Sequence, residues 1–433
     1  MRFETLRTLL AFSAVHNLKL RQFDIKGAYL HGKLTEEIYM AQPPFYDNGT
    51  GDVCILLRSL YGLKQAGNVW NQELTRSLKE IGLTQLKTDY CCFIRRIDND
   101  FTILLVWVDD FLAISTSDEL NDRIERELGT NFEVKLLGRP SMLLGAKINQ
   151  GDHIITLSQA HFIDKLLEKF GMQDANPVST PIDPNIKLDD EDLLDEEIIT
   201  EGEQDLRGSY GYATIIGSIM FPSLVGRPDI AYAANRLAQF TKNPKPKHWT
   251  AVKRLLRYLK GTKNYKLTYG RSDELLHNEL SIYCDVDWAS EGDRKSISGY
   301  VVTIAGGAIA WSSKKQGTIA LSTGEAEYVA ATHVAKQVLW HCSILRELEF
   351  PLPDTSTILL DNQAALAIAR HPECHSRTKH IDIAYHFLRD LVENRTIDMI
   401  YIDTEYNVAD LFTKGLPRGV HQNFTTEIGV LGD

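Results

Sequence analysis

Thr102-Ile-Leu-Leu-Val-Trp-Val-Asp-Asp-Phe-Leu-Ala-Ile-Ser115 sets two adjacent carboxylates, Asp109 and Asp110, in the middle of a long apolar run. Ionised carboxylates are costly to bury unless they are paired or hold a metal. The residues on either side read as two buried strands, with the acid pair at the tight turn between them. Adjacent aspartates on a rigid hairpin present converging hard oxygens suited to Mg²⁺. An ordinary acidic β-turn is the alternative, because Asp is a common turn residue.

A chain of 433 residues is too long for one core, and its length predicts two to four domains. Hydrophobic content of 43% and charged content of 24% describe a folded chain rather than a disordered one. No apolar stretch approaches the roughly 20 residues that span a bilayer. The start, Met1-Arg-Phe-Glu-Thr-Leu-Arg7, lacks the order of a signal peptide. Cysteines at 54, 91, 92, 284, 342 and 374 form no regular framework, which favours a reducing compartment.

The net charge of −11 is unevenly spread. The stretch from Asp183 to Asp205, with Asp189-Asp-Glu-Asp-Leu-Leu-Asp-Glu-Glu197 inside it, carries about ten net negative charges. Flanked by Pro177, Pro181 and Pro184, it reads as a self-repelling linker. From Lys242 to Arg271 the sign reverses, with recurring Lys and Arg and no acid. Trp249, Tyr258, Tyr265 and Tyr269 interleave there, a pattern found in nucleic-acid contacts, with a solvated basic helix as the alternative.

Further elements follow from periodicity. Ser117 caps an amphipathic helix to Leu128, and Phe162, Leu166, Leu167 and Phe170 share a helical face. Leu143–Ile148 and His153–Leu157 form a strand pair around Asn149-Gln-Gly-Asp152. Ile230–Phe240 and His248–Leu259 are helices. Near Leu280 a strand-rich segment starts, with Ser281–Asp285, Gly299–Ile304, Ala308–Ser312 and Thr318–Leu321 as strands. A helix from about Gly324 to Leu348 follows, then a strand Thr357–Leu360 that ends at Asp361. There is no internal repeat.

The Asp pair, Gln22-Phe-Asp-Ile-Lys-Gly-Ala-Tyr-Leu30 and Leu60-Tyr-Gly-Leu-Lys-Gln-Ala66 together resemble the reverse transcriptase of copia-type LTR retrotransposon polyproteins. The likeness continues through Gly226-Arg-Pro-Asp-Ile-Ala-Tyr232, His248 to Thr262, Asp285-Val-Asp-Trp-Ala289, Ala320 to Tyr328 and Arg377-Thr-Lys-His-Ile-Asp382. These ordered blocks cover nearly the whole chain. The resemblance implies an α+β multidomain protein. A right-hand polymerase palm (1–157, its fingers missing) precedes a thumb-like helical segment (158–182) and the acidic linker (183–208). A connection region with the basic helix (209–276) and a C-terminal RNase H-like α/β domain with a mixed sheet (277–425) complete it.

It also implies roles. Asp24, Asp109 and Asp110 become the catalytic carboxylates of the palm, holding two Mg²⁺ roughly 3.5–4 Å apart, with Mn²⁺ as a substitute. In-line phosphoryl transfer needs mostly positioning and charge neutralisation. Tyr29 resembles the steric-gate aromatic that excludes a ribonucleotide, and Gln65 the template-side glutamine; a core tyrosine and a surface amide are the plainer readings. The Leu143–Leu157 hairpin falls where a primer grip would. In the C-terminal domain, Asp285, Glu327, Asp361 and Asp410 become the four metal-binding acids, with Asp287 and Glu325 as competitors for the first two roles. Lys253, Arg254 and Arg257 would contact phosphates, making binding salt-dependent. The implied partners are an RNA template, a DNA primer, an RNA–DNA hybrid and deoxynucleoside triphosphates, in a cytoplasmic virus-like particle and the nucleus. His371, Cys374, His375 and His380 match no standard zinc spacing and read better as phosphate contacts or surface histidines.

The sequence departs from the family at Trp107, where Tyr is usual, and at Gly67-Asn68, where Pro-Arg is usual. Asp24 also comes close after Met1, so the palm is expected to leave apolar surface uncovered. Three functions stay in view: a reverse transcriptase with RNase H, an RNase H-only hydrolase, and a non-catalytic nucleic-acid-binding relic.

Overall fold

The computed structural model describes residues 1–189, 210–270, 280–289, 292–351, 353–370 and 382–432. The chain divides into two compact units, Met1–Arg2 with Leu18–Pro140, and Phe3–Asn17 with Ser141–Asp433.

The first unit is built on β1 (Lys19–Ile25), a small hairpin of β2 (Tyr39–Ala41) and β3 (Val53–Ile55), and then β4 (Thr84–Gln85), β5 (Cys92–Ile97), β6 (Asp100–Trp107), β7 (Asp110–Ser115) and β8 (Val134–Gly138). Six of these form one sheet in the order β4-β5-β6-β7-β1-β8. β6 and β7 are the two halves of the opening run, and nearly every side chain in them is buried, as expected of strands covered on both faces. The helix Ala66–Glu80 lays Trp70, Leu74 and Leu78 onto the sheet at four-residue intervals, and Asp118–Leu128 adds Ile124 and Leu128. Tyr46, Val53 and Leu57 stand exposed around the β2–β3 hairpin.

In the second unit, β9 (Met142–Leu143), β10 (Ala146–Gln150) and β11 (Ile155–Ser158) run antiparallel, and β11 pairs with β12 (Lys266–Tyr269). The hairpin read from sequence with the palm therefore belongs to a sheet of the second unit. Four helices, Ala160–Lys169, Tyr212–Val225, Ala231–Ala238 and Pro246–Gly261, share one apolar core. Trp249 and Tyr258 lie in that core and Tyr269 is buried in β12, so these aromatics of the basic stretch pack inward and offer no stacking platform. The helix Phe3–Val15, which periodicity alone did not single out, is buried almost all round, including its polar Thr5, Arg7, Thr8 and Ser13. Arg7 donates from Nε to Ile309 O at 2.8 Å and stacks its guanidinium over Trp311 at 3.8 Å.

The third sheet carries β13 (Ser281–Asp287), β14 (Ile297–Ile304), β15 (Gly307–Lys315), β16 (Ser356–Leu360) and β17 (Ile397–Tyr401), while β18 (Val430–Leu431) pairs with β12. The order is β15-β14-β13-β16-β17, antiparallel through the first three and parallel from β13 to β17. The long helix Thr323–Glu347 packs on it. Residues Thr318–Leu321, expected as a strand, are a loop instead: β15 already runs to Lys315, and the loop delivers Ser322 as N-cap of the helix.

The acidic linker lies outside the described residues from position 190 onward, as does the 371–381 stretch with His371, Cys374, His375 and His380. The first part of the linker is no free tether. Ile182 and Leu188 are buried in the helical core on either side of Asp183. No helix among the described residues is long and apolar enough to cross a membrane.

Candidate active sites

In the first unit, the register of β1 against β7 sets Asp24 opposite Asp110, and Ile25 N donates to Asp109 O at 2.9 Å. Trp107 pairs with Asp110, leaving Val108 and Asp109 as a two-residue turn. Val108 has φ 59°, a strained conformation for a β-branched residue. Trp70 Nε1 holds the turn by donating to Val108 O at 2.7 Å. Asp109 and Asp110 are thus presented by a fixed, strained turn. Burial raises the pKa of the Asp110 carboxyl, and the neighbouring Asp109 charge adds to the rise, while a hydrogen bond from buried Gln22 opposes it. Tyr29 packs on the core of this unit, and its ring meets Tyr61 edge-on at 4.6 Å. Desolvation and the Asp109 charge push the Tyr61 phenol up. Tyr61 was not singled out from sequence, although it lies inside the Leu60–Ala66 block. Gln65 precedes the helix Ala66–Glu80 and donates to Glu36 Oε2 at 2.7 Å. Trp107 is 42% exposed beside the acids.

In the second unit, ligand atoms of Asp285, Glu327 and Asp361 all lie within 4.8 Å of one another, the one such group of acids, histidines or cysteines among the described residues. Each comes from a different element. Asp285 sits in β13, on the same strand face as Tyr283 and Asp287, while Ile282 and Cys284 point to the other. Glu327 lies on the long helix one turn past its start, and Asp361 directly follows β16. Asp410 arrives on the short helical turn Val408–Phe412, close enough to Asp285 to share a hydrogen bond.

A glycine makes that last approach feasible. Gly299 is the cross-strand partner of Asp285, and a Cβ there would stand 2.6 Å from Thr413 Cγ2 and 2.8 Å from Phe412 Cβ. Without a side chain, the turn closes onto the sheet. Asn407 Nδ2 ties it to Cys284 O at 2.9 Å, and the Thr413 hydroxyl donates to Asp285 Oδ2. Thr404 Oγ1 donates to Asp361 Oδ2 at 2.6 Å, and Lys414 Nζ pairs with Asp410 Oδ1 at 2.8 Å. Thr404, Thr413 and Lys414 were not predicted; their spacing to the acids becomes visible only when the turn folds back onto β13.

The two competitors take other places. Glu325 serves the start of its helix, where Oε2 accepts from Leu321 N at 2.8 Å. Asp287 lies toward the rim of the cluster, where its charge helps to keep Lys414 protonated.

Crowding four acids into a buried site has an electrostatic consequence. Desolvation, then the charges of Asp285 and Asp361, hold the Glu327 carboxyl well above the usual range. Desolvation and Asp285 push Asp410 up to about 8. Glu327 Oε2 is buried with no hydrogen-bond partner among the described residues. Hard carboxylate oxygens converging with one left unsatisfied fit a divalent cation such as Mg²⁺. Because both shifts are upward, the folded protein retains protons that the unfolded chain has released. That stabilisation is fully present below about pH 4 and is lost as pH rises, for Asp410 through about 8. Metal-free protein should therefore melt several degrees lower at about pH 8 than at about pH 5, and Glu327→Gln should flatten the trend. Calorimetry in chelator decides this; a wild-type Tm that rises over that range contradicts the assigned protonation.

The basic helix Pro246–Gly261 carries Lys253, Arg254 and Arg257. Arg254 pairs with Asp183 at 3.3 Å and donates to Thr180 Oγ1 at 2.8 Å, and Arg257 Nε donates to Asn176 O at 2.6 Å. Lys253 is half-buried beside them. These cations meet the chain's own preceding segment.

A family model described as reverse transcriptase (RNA-dependent DNA polymerase) matches residues 1–184. The retrovirus-related Pol polyprotein from transposon TNT 1-94 of Nicotiana tabacum is 38% identical over 424 residues, 96% of this chain and 31% of that protein. The chain thus spans about a third of the length of that relative. A transposon Ty5-1 protein of Saccharomyces cerevisiae is 30% identical over 320 residues, 73% of this chain and 100% of that protein. Among solved structures, LC11-RNase H1 isolated from compost aligns with 32% of this chain and 94% of its own, at 17% identity and a TM-score of 0.26. The chain belongs to the copia-type family of retrotransposon Pol polyproteins, with the reverse transcriptase over its first 184 residues.

Proposed function

We propose that this chain extends a DNA primer on an RNA template with deoxynucleoside triphosphates and hydrolyses the RNA strand of the resulting RNA–DNA hybrid. The observation that carries the reading is the convergence of Asp285, Glu327 and Asp361 within 4.8 Å, in a chain whose first 184 residues belong to a reverse transcriptase family. Asp285, Glu327, Asp361 and Asp410 would hold the metals of the nuclease, and Asp24, Asp109 and Asp110 those of the polymerase. Bound there, Mg²⁺ supplies nucleophile activation and charge neutralisation at the reacting phosphate.

The chain's own groups do the rest. Thr413 and Thr404 fix the orientation of the Asp285 and Asp361 carboxylates. Lys414 limits the repulsion among the acids before substrate arrives. In the palm, the strained Val108 turn aims Asp109 and Asp110 at the strand that carries Asp24. On this reading Tyr29 would exclude a ribose 2′-OH and Gln65 would meet the template strand. Lys253, Arg254 and Arg257 offer cations to the hybrid backbone.

Primer extension on an RNA template with Mg²⁺ tests the polymerase half, using Asp109→Asn as control. Extension in the wild type that disappears in the variant is the expected result. A second reading, a hydrolase alone, is favoured by one contrast: the palm acids do not draw together to the 4.8 Å of the nuclease acids among the described residues. Folded protein that cuts hybrid but extends no primer would select it.

A further inference from the structure

We propose that residues 182–189 form an acidic strap that occupies the nucleic-acid face of the basic helix in the free protein, and that the RNA–DNA hybrid displaces it. The proposal rests on the reading of Arg254 as a phosphate contact and adds what holds that side chain when no nucleic acid is bound.

Two buried apolar anchors seat the strap. Ile182 and Leu188 enter the helical core, and Leu188 O faces His248 Nε2 at 3.0 Å. Between and beyond them the carboxylates turn to arginines: Asp183 to Arg254 and Asp189 to Arg236. The strap also passes close to the nuclease. A Cβ on Gly415, next to Lys414, would lie 3.1 Å from Pro184 Cα and 3.2 Å from Ile182 Cγ2. Between the strap and the Asp287–Lys414 rim lies a cavity of about 440 Å³.

The Asp183–Arg254 contact is that of a stand-in rather than of a permanent tie, whereas Asp189 meets an Arg236 whose side chain is only 6% exposed. Arg254 reaches Asp183 through one nitrogen at 3.3 Å, both side chains are partly exposed, and the Arg254 Nε is buried without a hydrogen-bond partner among the described residues. Partly exposed single-contact pairs are weak. A phosphate presents a fork of oxygens that a guanidinium can grip with two parallel bonds. The sequence beyond the strap, Asp190-Glu-Asp192 and then Asp195-Glu-Glu197, continues the same charge.

The test uses the full chain carrying Asp361→Asn, so that hybrid is bound and not cut, with and without Asp183→Asn plus Asp189→Asn. Glu168→Gln plus Asp174→Asn, two exposed acids off the strap, removes the same charge as a control. Anisotropy titrations with labelled RNA–DNA hybrid across a salt series should give several-fold tighter binding for the strap variant than for the control. Its salt slope should be steeper by about 0.9 for each arginine that gains a phosphate. Hydrogen exchange on the parent, which requires no strap substitution, should show amides of 182–189 losing protection when hybrid binds. Equal affinity and slope in strap and control variants, with unchanged protection, would overturn the strap. Absence of binding by every variant would instead overturn the phosphate-contact reading on which it rests, and the strap with it.

Discussion

Asp361→Asn is expected to remove Mg²⁺-dependent cutting of RNA in a hybrid by on the order of 10³-fold or more, while leaving the metal-free fold at least as stable. Losing one neutral donor to a developing charge already costs about 10²–10³ in rate; here one carboxylate of the proposed metal-binding set of four is lost. The amide keeps the size of the side chain and can still accept the hydrogen bond from Thr404 Oγ1. Burial raises the Asp361 pKa, and the Asp285 charge adds to the rise against the Thr404 hydrogen bond, so a neutral group suits the empty site better than an ionised one. The signature is thus a lost activity with an unchanged or raised Tm in chelator. An Asp361→Asn protein that still cuts would remove Asp361 from the site, and a Tm that fell by many degrees would mark it as structural. Primer extension, proposed for the other unit, should be retained in the same preparation.

Asp361 was legible because an apolar strand that runs straight into an acid has few structural uses, and Ile358 and Leu360 are indeed buried around it. Asp109 and Asp110 stood out as charges inside an apolar run, and what was legible there was the turn between two buried strands on which they sit. The choice between Glu325 and Glu327 was not legible: two residues on one helix differ by about 200° in direction, and only the packed helix fixes which one faces β13. Composition also misjudged two charged stretches. In 183–189 it registered the acids and missed that Ile182 and Leu188 anchor the segment at both ends. In the basic helix it registered Trp249 and Tyr258 as candidate stacking rings, whereas a helix with a cationic face must bury its other face, and these rings are on it. The sheet partner of the Leu143–Leu157 hairpin was not legible for a different reason. Strand pairing with β12 joins residues more than a hundred positions apart, and no local pattern encodes that partner.

Asp229→Ala is expected to be the most destabilising single change outside the sites, by about 3–5 kcal/mol. The Gly226-Arg-Pro-Asp-Ile block, conspicuous in the sequence for its likeness to the family, turns out to be a buried junction. Arg227 and Asp229 have side chains 1% and 0% exposed and pair by two parallel bonds, Nε to Oδ1 at 2.8 Å and Nη2 to Oδ2 at 2.7 Å. Tyr258 OH donates to Asp229 Oδ2 at 2.7 Å. Arg227 also donates to Thr262 O at 2.9 Å and to Thr262 Oγ1 at 2.7 Å, and His421 lies 3.3 Å from Asp229 O. One ion pair thereby ties the end of the basic helix to the C-terminal helix Arg418–Glu427. Removing the carboxylate leaves the buried Arg227 guanidinium without its carboxylate partner and the Tyr258 hydroxyl without its Asp229 acceptor. At about 1.6 °C per kcal/mol for a unit of about 300 residues, the transition of the second unit should fall by roughly 5–8 °C. Arg227→Met with Asp229→Leu should recover much of that loss, because removing both charges removes the desolvation penalty together with the attraction. Burial by itself would raise the Asp229 pKa, but the Arg227 charge and the hydrogen bonds hold it below the usual range. The pair's stabilisation is therefore present above about pH 4 and lost only as pH falls through the depressed value. The deficit of Asp229→Ala should stay constant from about pH 5 to 8, where the metal-free wild type changes through its acid cluster. A calorimetric comparison that found the deficit vanishing at neutral pH, or the double variant no better than the single, would mean that the junction is held by packing and not by the ion pair.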